Sequence, residues 1–140
     1  MQDYRKLLVW RRSHSFVVAS YAAIARFPRD ERFELTSQLR RALVSIPANL
    51  AEGRSRRSER SFAAFIDIAS GSAAEAEYLL FLAHEVGYLN AQDYAPLEVE
   101  IDEIRECCMR SGTTFPAVPS VPALRERRAS RRCSTLTANG

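Results

Sequence analysis

The chain has 140 residues, of which 46% are hydrophobic, and a formal net charge of +3. This length predicts a single domain, and the five glycines and the scarcity of alternating apolar and polar residues argue for an all-α class. The longest nearly apolar stretch, residues 16–25, is shorter than the roughly 20 residues that a membrane-spanning helix needs. Three cysteines, two of them adjacent, do not make a disulfide framework, so we expect a cytoplasmic protein.

The charge is unevenly distributed along the chain. Residues 1–60 hold 13 Lys and Arg against 6 Asp and Glu, whereas residues 61–110 hold 2 against 10. The first half of the body is therefore basic and the second half is acidic. Complementary halves can pair within one chain, or head to tail between copies, and a head-to-tail contact closes into a ring if the rotation allows.

Two helices are predicted in the first half of the chain. The first covers residues 7–27 and is stopped by Pro28. The second covers residues 35–55 and begins near Thr36, a good N-cap residue. The apolar spacing of the first helix predicts a core stripe of Trp10, His14, Val17, Tyr21 and Ile24.

The second helix contains a proline in its interior, within RRALVSIPANLAEG (40–53). An interior proline removes one backbone hydrogen bond, at a cost of roughly 3 kcal/mol. We expect Pro47 to kink the helix and to free the carbonyl of Leu43, with Asn49 or Ser45 satisfying a stray backbone group nearby. The kink serves either a shaped packing surface or a contact with a ligand or a neighbouring subunit.

The third helix is predicted over residues 58–87, with Ser58 as its N-cap and Gly87 just beyond its end. Its expected core stripe consists of Phe62, Phe65, Ile66, Ala69, Ala73, Ala76, Leu80 and Ala83. Residues 70–74 are all small, and small side chains let another helix approach closely. The candidate packing surface between subunits is therefore Gly71, Ser72 and Ala73.

The fourth helix is predicted over residues 91–110, with a capping box formed by Asn90 and Asp93. Its expected seam is Tyr94, Leu97, Ile101, Ile104 and Cys108. Short links between helices make neighbours antiparallel, which predicts an up-down-up-down four-helix bundle over residues 1–112. We expect a disordered Pro/Arg/Ser-rich tail over residues 113–140.

Motifs for metal, haem, nucleotide and nucleophile chemistry are missing from the sequence. A di-iron bundle needs Glu-x-x-His pairs, but Arg11 and Phe81 stand three residues before the two histidines. Glu75 and Glu77 lie about 200° apart on a helix and do not converge. The sequence therefore predicts no metal, no cofactor, no small-molecule substrate and no enzymatic activity.

Arginine clusters are the remaining signal for function. The candidate nucleic-acid-binding residues are Arg11, Arg12, Arg40, Arg41, Arg54, Arg56, Arg57 and Arg60. Such clusters bind phosphates, although they also serve as solvated faces or as partners of the acidic fourth helix. No aromatic residue interrupts GRSRRSER (53–60), so readout of base sequence is not indicated. The leading hypothesis is a non-enzymatic oligomeric scaffold that holds RNA or DNA, and the alternative is a protein–protein adaptor without nucleic-acid binding.

Four stretches carry a family pattern: RKLLVWRRSH (5–14), FPRDERFELTSQLRRALVSIPANLAEG (27–53), RRSERSFAAFIDIASGSAAEAE (56–77) and LAHEVGYL (82–89). With them the chain resembles the four-helix-bundle family first described from open reading frames in the intervening sequences of bacterial 23S rRNA genes. The resemblance implies a four-helix bundle and a ring-like homopentamer, but no settled function. The family is also similar to the accessory proteins of diversity-generating retroelements, which are basic, pentameric and bind nucleic acid. This chain departs from them, because residues 1–110 carry a net charge of −1.

Overall fold

The computed structural model describes residues 3–111, and the predicted tail lies outside this range. The described part contains four α-helices: α1 Leu8–Ile24, α2 Leu35–Ser55, α3 Glu59–Glu85 and α4 Ala91–Ser111. Short 3-10 helices at Tyr4–Lys6 and Arg29–Arg32 precede α1 and α2. Consecutive helices pack against each other and α4 packs back on α1. The predicted all-α, antiparallel up-down-up-down bundle is confirmed, and the helices of this part are not long and apolar enough for a membrane span.

The N-termini of α3 and α4 are capped as predicted. Ser58 Oγ accepts a hydrogen bond from the backbone N–H of Ser61 at 3.1 Å. Asn90 Oδ1 accepts one from the backbone N–H of Asp93 at 2.8 Å. Both side chains therefore satisfy a backbone donor that has no partner inside the helix. Thr36 instead lies buried inside the first turn of α2, so its predicted cap role is wrong.

Gly87 lies just beyond the end of α3, as predicted. Its φ of +84° is left-handed, a conformation that glycine adopts without a steric penalty. The N–H of Tyr88 donates to the carbonyl of Ala83 at 2.9 Å, and the N–H of Gly87 donates to the carbonyl of His84 at 3.0 Å. This pair of bonds is a Schellman motif, which satisfies two carbonyls at the end of α3.

The core-facing side of α1 differs from the prediction. Of the predicted stripe, only Ile24 is buried; Trp10 and Val17 are half-buried, and His14 and Tyr21 are exposed. The residues that α1 buries are Val9, Ser13, Phe16, Ser20, Ala23 and Ile24.

Two buried serines explain why the apolar pattern predicts the wrong core face for α1. Ser13 and Ser20 are fully buried, yet a search for apolar periodicity does not count them. Ser13 satisfies its hydroxyl locally, by donating to the carbonyl of Val9 at 2.6 Å. Larger aromatic residues lie on the neighbouring face of the helix, so the apolar pattern indicates that face instead of the buried one. The helix also ends at Ile24, three residues earlier than expected.

The stripes of α3 and α4 follow the prediction closely. The residues that these helices bury are Phe62, Ile66, Ala69, Ala73, Ala76, Leu79, Leu80 and Ala83 of α3, and Leu97, Ile101, Ile104 and Cys108 of α4. Phe65 and Tyr94 are only half-buried.

At Gly53, α2 and α3 approach so closely that a side chain has no room. A Cβ atom at this position would lie 2.6 Å from Phe65 Cβ and 3.1 Å from Phe62 Cδ2. Gly71, which the sequence suggested as a site of close approach, has no atom within 4 Å of such a Cβ. Within the bundle, the glycine that allows two helices to touch is therefore Gly53.

Helix α2 continues through Pro47, whose side chain is buried in the core side of the helix. Asn49 Nδ2 donates to the carbonyl of Ser45 at 2.8 Å and contacts Ser45 Oγ at 2.9 Å. Ser45 Oγ also hydrogen-bonds Ser72 Oγ of α3 at 2.8 Å. The polar groups around Pro47 thus link α2 to α3, which favours the packing interpretation of the proline; the kink stays a prediction.

Candidate nucleic-acid interface

Antiparallel packing gathers basic residues at one end of the bundle, which we call the basic end: residues 3–7, 52–60 and 106–111. This end holds seven Lys and Arg against four Asp and Glu. The opposite end, residues 25–35 and 85–93, holds three against five. The basic pair α1 and α2 and the acidic pair α3 and α4 run side by side, so the difference between the two ends comes from the residues at and near the helix ends. A polyanion is attracted to the basic end.

The turn between α2 and α3 supplies four of the cations at the basic end. Arg57 and Arg60 are exposed and have no ion pair with another described residue. Arg56 pairs with Glu52 one turn back in α2. An open groove of about 720 Å³ runs along the turn and includes Arg54. The turn therefore presents uncompensated positive charge beside a depression large enough for a phosphate-bearing ligand.

Two phenylalanines of α3 hold arginines of this turn in place. The guanidinium carbon of Arg54 lies 5.5 Å from the centre of the Phe62 ring, and that of Arg56 lies 5.1 Å from the Phe65 ring. Both distances are typical of cation–π contacts. The sequence alone does not reveal these aromatic partners. Phe62 and Phe65 follow GRSRRSER by two and five residues and contact the arginines only when α3 is formed.

Arg12 makes its ion pairs within the fold. Its guanidinium makes two hydrogen bonds with Glu100, at 2.9 and 3.1 Å, and also pairs with Glu103. These contacts join α1 to α4, as the alternative of salt bridges to the acidic helix anticipated. Arg11, its neighbour, is exposed and has no ion pair with a described residue.

Arg40 and Arg41 lie apart from the basic end. Fourteen residues of helix separate Arg40 from Arg54, which is about 21 Å at a rise of about 1.5 Å per residue. Arg40 lies over the ring of Tyr21 in α1, 5.4 Å from its centre, and its buried Nε has no hydrogen-bond partner. Arg41 is exposed beside it. The predicted arginines therefore form two groups, one at the α2–α3 turn and one in the second turn of α2, nearer the opposite end of the bundle.

The candidate subunit-packing residues have three different environments. Gly71 is exposed with open space around it, and Ser72 is half-buried and bonded to Ser45. Ala73 is fully buried in the core, so its predicted contact with another subunit is wrong. The physical reason is the helical period: adjacent residues point about 100° apart, and Ala73 turns inward. Exposed apolar side chains flank Gly71 on the same outer face of α3, at Ile68 and Tyr78.

Titratable groups of the described part do not assemble into a reaction centre. No three side chains of metal-ligating type meet within residues 3–111. Burial raises the pKa of Cys107, and it raises the pKa of Cys108 to about 11. Both thiols therefore stay protonated at neutral pH, and protonated thiols are poor nucleophiles.

Comparison with known proteins gives a family and a structural neighbour. The family profile described as 23S rRNA-intervening sequence protein matches residues 5–109. The chain is also similar to a crystal structure of a protein with unknown function from the S23 ribosomal protein family of Bacteroides thetaiotaomicron VPI-5482. The TM-score is 0.69 at 25% identity, and the match covers 76% of this chain and 100% of that one. Among curated proteins there is no match.

Proposed function

Because the chain belongs to the 23S rRNA-intervening sequence protein family, we propose that it is a non-enzymatic, homo-oligomeric scaffold that binds RNA or DNA at its basic end. The observation that carries this proposal is the group of arginines at the α2–α3 turn, of which Arg57 and Arg60 are exposed and pair with no carboxylate of residues 3–111. Surface arginines that only solubilise a fold are usually interspersed with acids of the opposite sign. Here the excess positive charge is concentrated at one end.

Phosphate binding is the chemistry that such a group performs. Guanidinium groups match phosphate oxygens with two parallel N–H donors, and they keep their charge at any physiological pH. The cation–π contacts of Arg54 and Arg56 hold part of the group over a rigid surface, so less conformational entropy is lost on binding. Because no ordered donor set for base edges accompanies the arginines, the proposal is binding through the backbone of the nucleic acid.

A charge-reversal pair tests this proposal. Arg57→Glu with Arg60→Glu removes two contacts at the basic end, and Arg29→Glu with Arg32→Glu makes the same charge change at the opposite end. We expect the chain to bind a short RNA in a filter assay, with affinity falling steeply with salt, by about 0.7 to 0.9 in log–log slope per phosphate contact. The first variant loses most of this binding and the second keeps it.

Two results of that assay contradict the proposal. Absence of binding at low salt refutes the nucleic-acid function and leaves the protein–protein adaptor in its place. Equal losses in both double variants show that net charge alone drives the binding, and that the basic end is not a site.

Self-association is the second part of the proposal. The outer face of α3 carries Ile68, which is 51% exposed, and Tyr78, which is 60% exposed, on either side of the uncovered Gly71. Apolar groups gathered on one face of a soluble protein mark a contact surface. The family resemblance supplies the number of copies, five, and sedimentation equilibrium should give a species near five times 15.8 kDa.

A pair of variants locates the contact. We expect Ile68→Lys to dissociate the oligomer, whereas Val18→Lys, at a similarly exposed apolar position of α1, leaves it intact. A monomer of the unaltered chain at micromolar concentration contradicts the proposed assembly.

The remaining parts of the proposal concern activity and location. We propose no enzymatic role, since no acid–base pair or nucleophile can be named among the described residues. A cytoplasmic location fits the free thiols of Cys107 and Cys108, because structural disulfides are the rule in oxidising compartments.

A further inference from the structure

The face of α1 that the apolar spacing predicts as its core stripe is a partly exposed surface in the structure. Trp10, His14, Val17 and Tyr21 lie on one face of the helix, but this face borders α2 and is only partly covered. A face that combines three aromatic or imidazole rings with partial exposure is unusual for a core, and its rings remain accessible to a ligand.

The rings of this face are already stacked. The imidazole of His14 lies parallel to the indole of Trp10, with an interplanar angle of 5° and ring centres 5.2 Å apart. Tyr4 packs edge-on against the same indole, 4.8 Å between ring centres, and fixes it from the side. His14 is exposed, so the stack ends at a ring that solvent can reach. Another flat ring can therefore extend the stack.

Two turns further along the same face of α1, an arginine lies over the ring of Tyr21. Tyr21 is 38% exposed, and the guanidinium of Arg40 lies over its ring. No described carboxylate pairs with Arg40, and its buried Nε has no hydrogen-bond partner. An open groove of about 830 Å³ adjoins both residues and extends across α2 to Ser72 and Glu75 of α3. Gln38 and Arg41 supply further donors to this groove, and Glu75 is the one carboxylate among its described lining residues.

We propose that this surface, the α1–α2 flank of Trp10, His14, Tyr21 and Arg40, is a stacking track for single-stranded nucleic acid. The inference rests on the proposed function and specifies the form of the ligand. Stacking of bases on exposed rings contributes about 1–3 kcal/mol per base and needs unpaired bases, which a duplex does not offer. Eleven residues from Trp10 to Tyr21 span about 16 Å, enough for roughly five stacked bases at about 3.4 Å each.

The track also continues from the basic end. Because α1 and α2 are antiparallel, the first turn of α1 lies beside the last turns of α2, and the 3-10 helix Tyr4–Lys6 packs on α2. A strand whose backbone contacts Arg57 can therefore lead its bases past Trp10 towards Arg40. This path unites the two groups of arginines that the fold had separated.

The experiment uses Trp10 as its own reporter, because the chain contains one tryptophan. The full chain is titrated at low salt with an oligothymidylate of about 12 nucleotides, longer than the roughly five bases of the track, and with the matching duplex. We expect the single strand to quench Trp10 fluorescence and to bind more tightly than the duplex. His14→Ala and Tyr21→Ala should each weaken single-strand binding roughly 5- to 150-fold, as loss of one stacked base implies.

Phe33→Ala is the matched control. Phe33 is 84% exposed and lies beneath the guanidinium of Arg32, at 5.7 Å, at the opposite end of the bundle. Like Tyr21 beneath Arg40, it is an aromatic ring beneath an arginine, but it lies away from the track, so its loss should leave binding unchanged. Circular dichroism of each variant verifies that the helices are intact.

The outcomes separate this inference from the proposed function. The track is overturned if the single strand and the duplex bind equally, Trp10 fluorescence does not change and His14→Ala leaves the affinity unchanged. The charge-reversal pair then still decides the function of the basic end. Variants that alter sedimentation instead of binding overturn the track too, since the flank is then a contact between copies. No binding of either form at low salt refutes both proposals.

Discussion

Replacing Gly53 by alanine tests the close contact between α2 and α3 at this position. The added Cβ would lie 2.6 Å from Phe65 Cβ, whereas two carbon atoms pack best at about 3.5–4.0 Å. Phe65 Cβ is bonded directly to the backbone of α3, so no rotation of a side chain relieves the clash. The two helices must separate locally, and overpacking of this kind costs about 1–3 kcal/mol.

Gly71→Ala is the internal reference for this experiment. Both glycines lie in helices, and alanine gains up to about 1 kcal/mol in helix propensity at either position. At Gly71 the new methyl group meets nothing within 4 Å, so only the gain remains. We therefore expect Gly71→Ala to be more stable than the unaltered chain by up to about 1 kcal/mol. Gly53→Ala should be about 1–3 kcal/mol less stable than Gly71→Ala.

Urea unfolding followed by circular dichroism measures this difference, from the midpoint and slope of each transition. Two protein concentrations are needed, because an effect of Gly71 on self-association would make its midpoint concentration-dependent. A gain in stability for Gly53→Ala equal to that for Gly71→Ala would refute the reasoning, since it would mean that α2 and α3 do not touch at Gly53.

Three further predictions concern stability. Gly87→Ala should destabilise the chain by about 1–2 kcal/mol in the same unfolding assay, because its left-handed φ of +84° strains any residue with a Cβ; an unchanged midpoint contradicts this. Arg12→Ala should cost roughly 1–2 kcal/mol, as it leaves two carboxylates of α4 without their partner, whereas Arg11→Ala, at the exposed neighbouring position, should have no effect. Burial raises the pKa of Cys108 to about 11 from 9.0. The unfolded thiol therefore ionises first, so the free energy of unfolding should fall between about pH 9 and 11. Relative to Cys108→Ala, the fall should reach about 1.4 kcal/mol at pH 10; parallel pH profiles of the two chains would disprove the burial argument.

Local sequence determined the elements of this protein. Side chains that act within a few residues of their own position, such as Ser58, Asn90 and Gly87, fixed helix ends that agree with the structure. The apolar periods of α3 and α4 also predicted their buried faces, because those faces are built from apolar residues and alanine. Short links then made the four helices antiparallel.

Tertiary structure decided which surfaces those elements hide. The core face of α1 includes Ser13 and Ser20, whose burial depends on the space that the neighbouring helices leave, and hydrophobicity alone pointed to the adjacent face. The contact at Gly53 likewise depends on where α3 places Phe65, twelve residues later in the chain.

The candidate site shows the same division. The sequence identified the arginines by type, but it could not tell that Arg12 is held by Glu100, 88 residues away. Nor could it tell that Arg57 has no ion pair within the described part of the chain. Nor could it place Arg40 over Tyr21. Backbone hydrogen bonds and caps act over three or four residues, so the sequence displays them directly. Ion pairs and ring contacts between helices depend on how those helices are positioned in space, and only the packed bundle sets that.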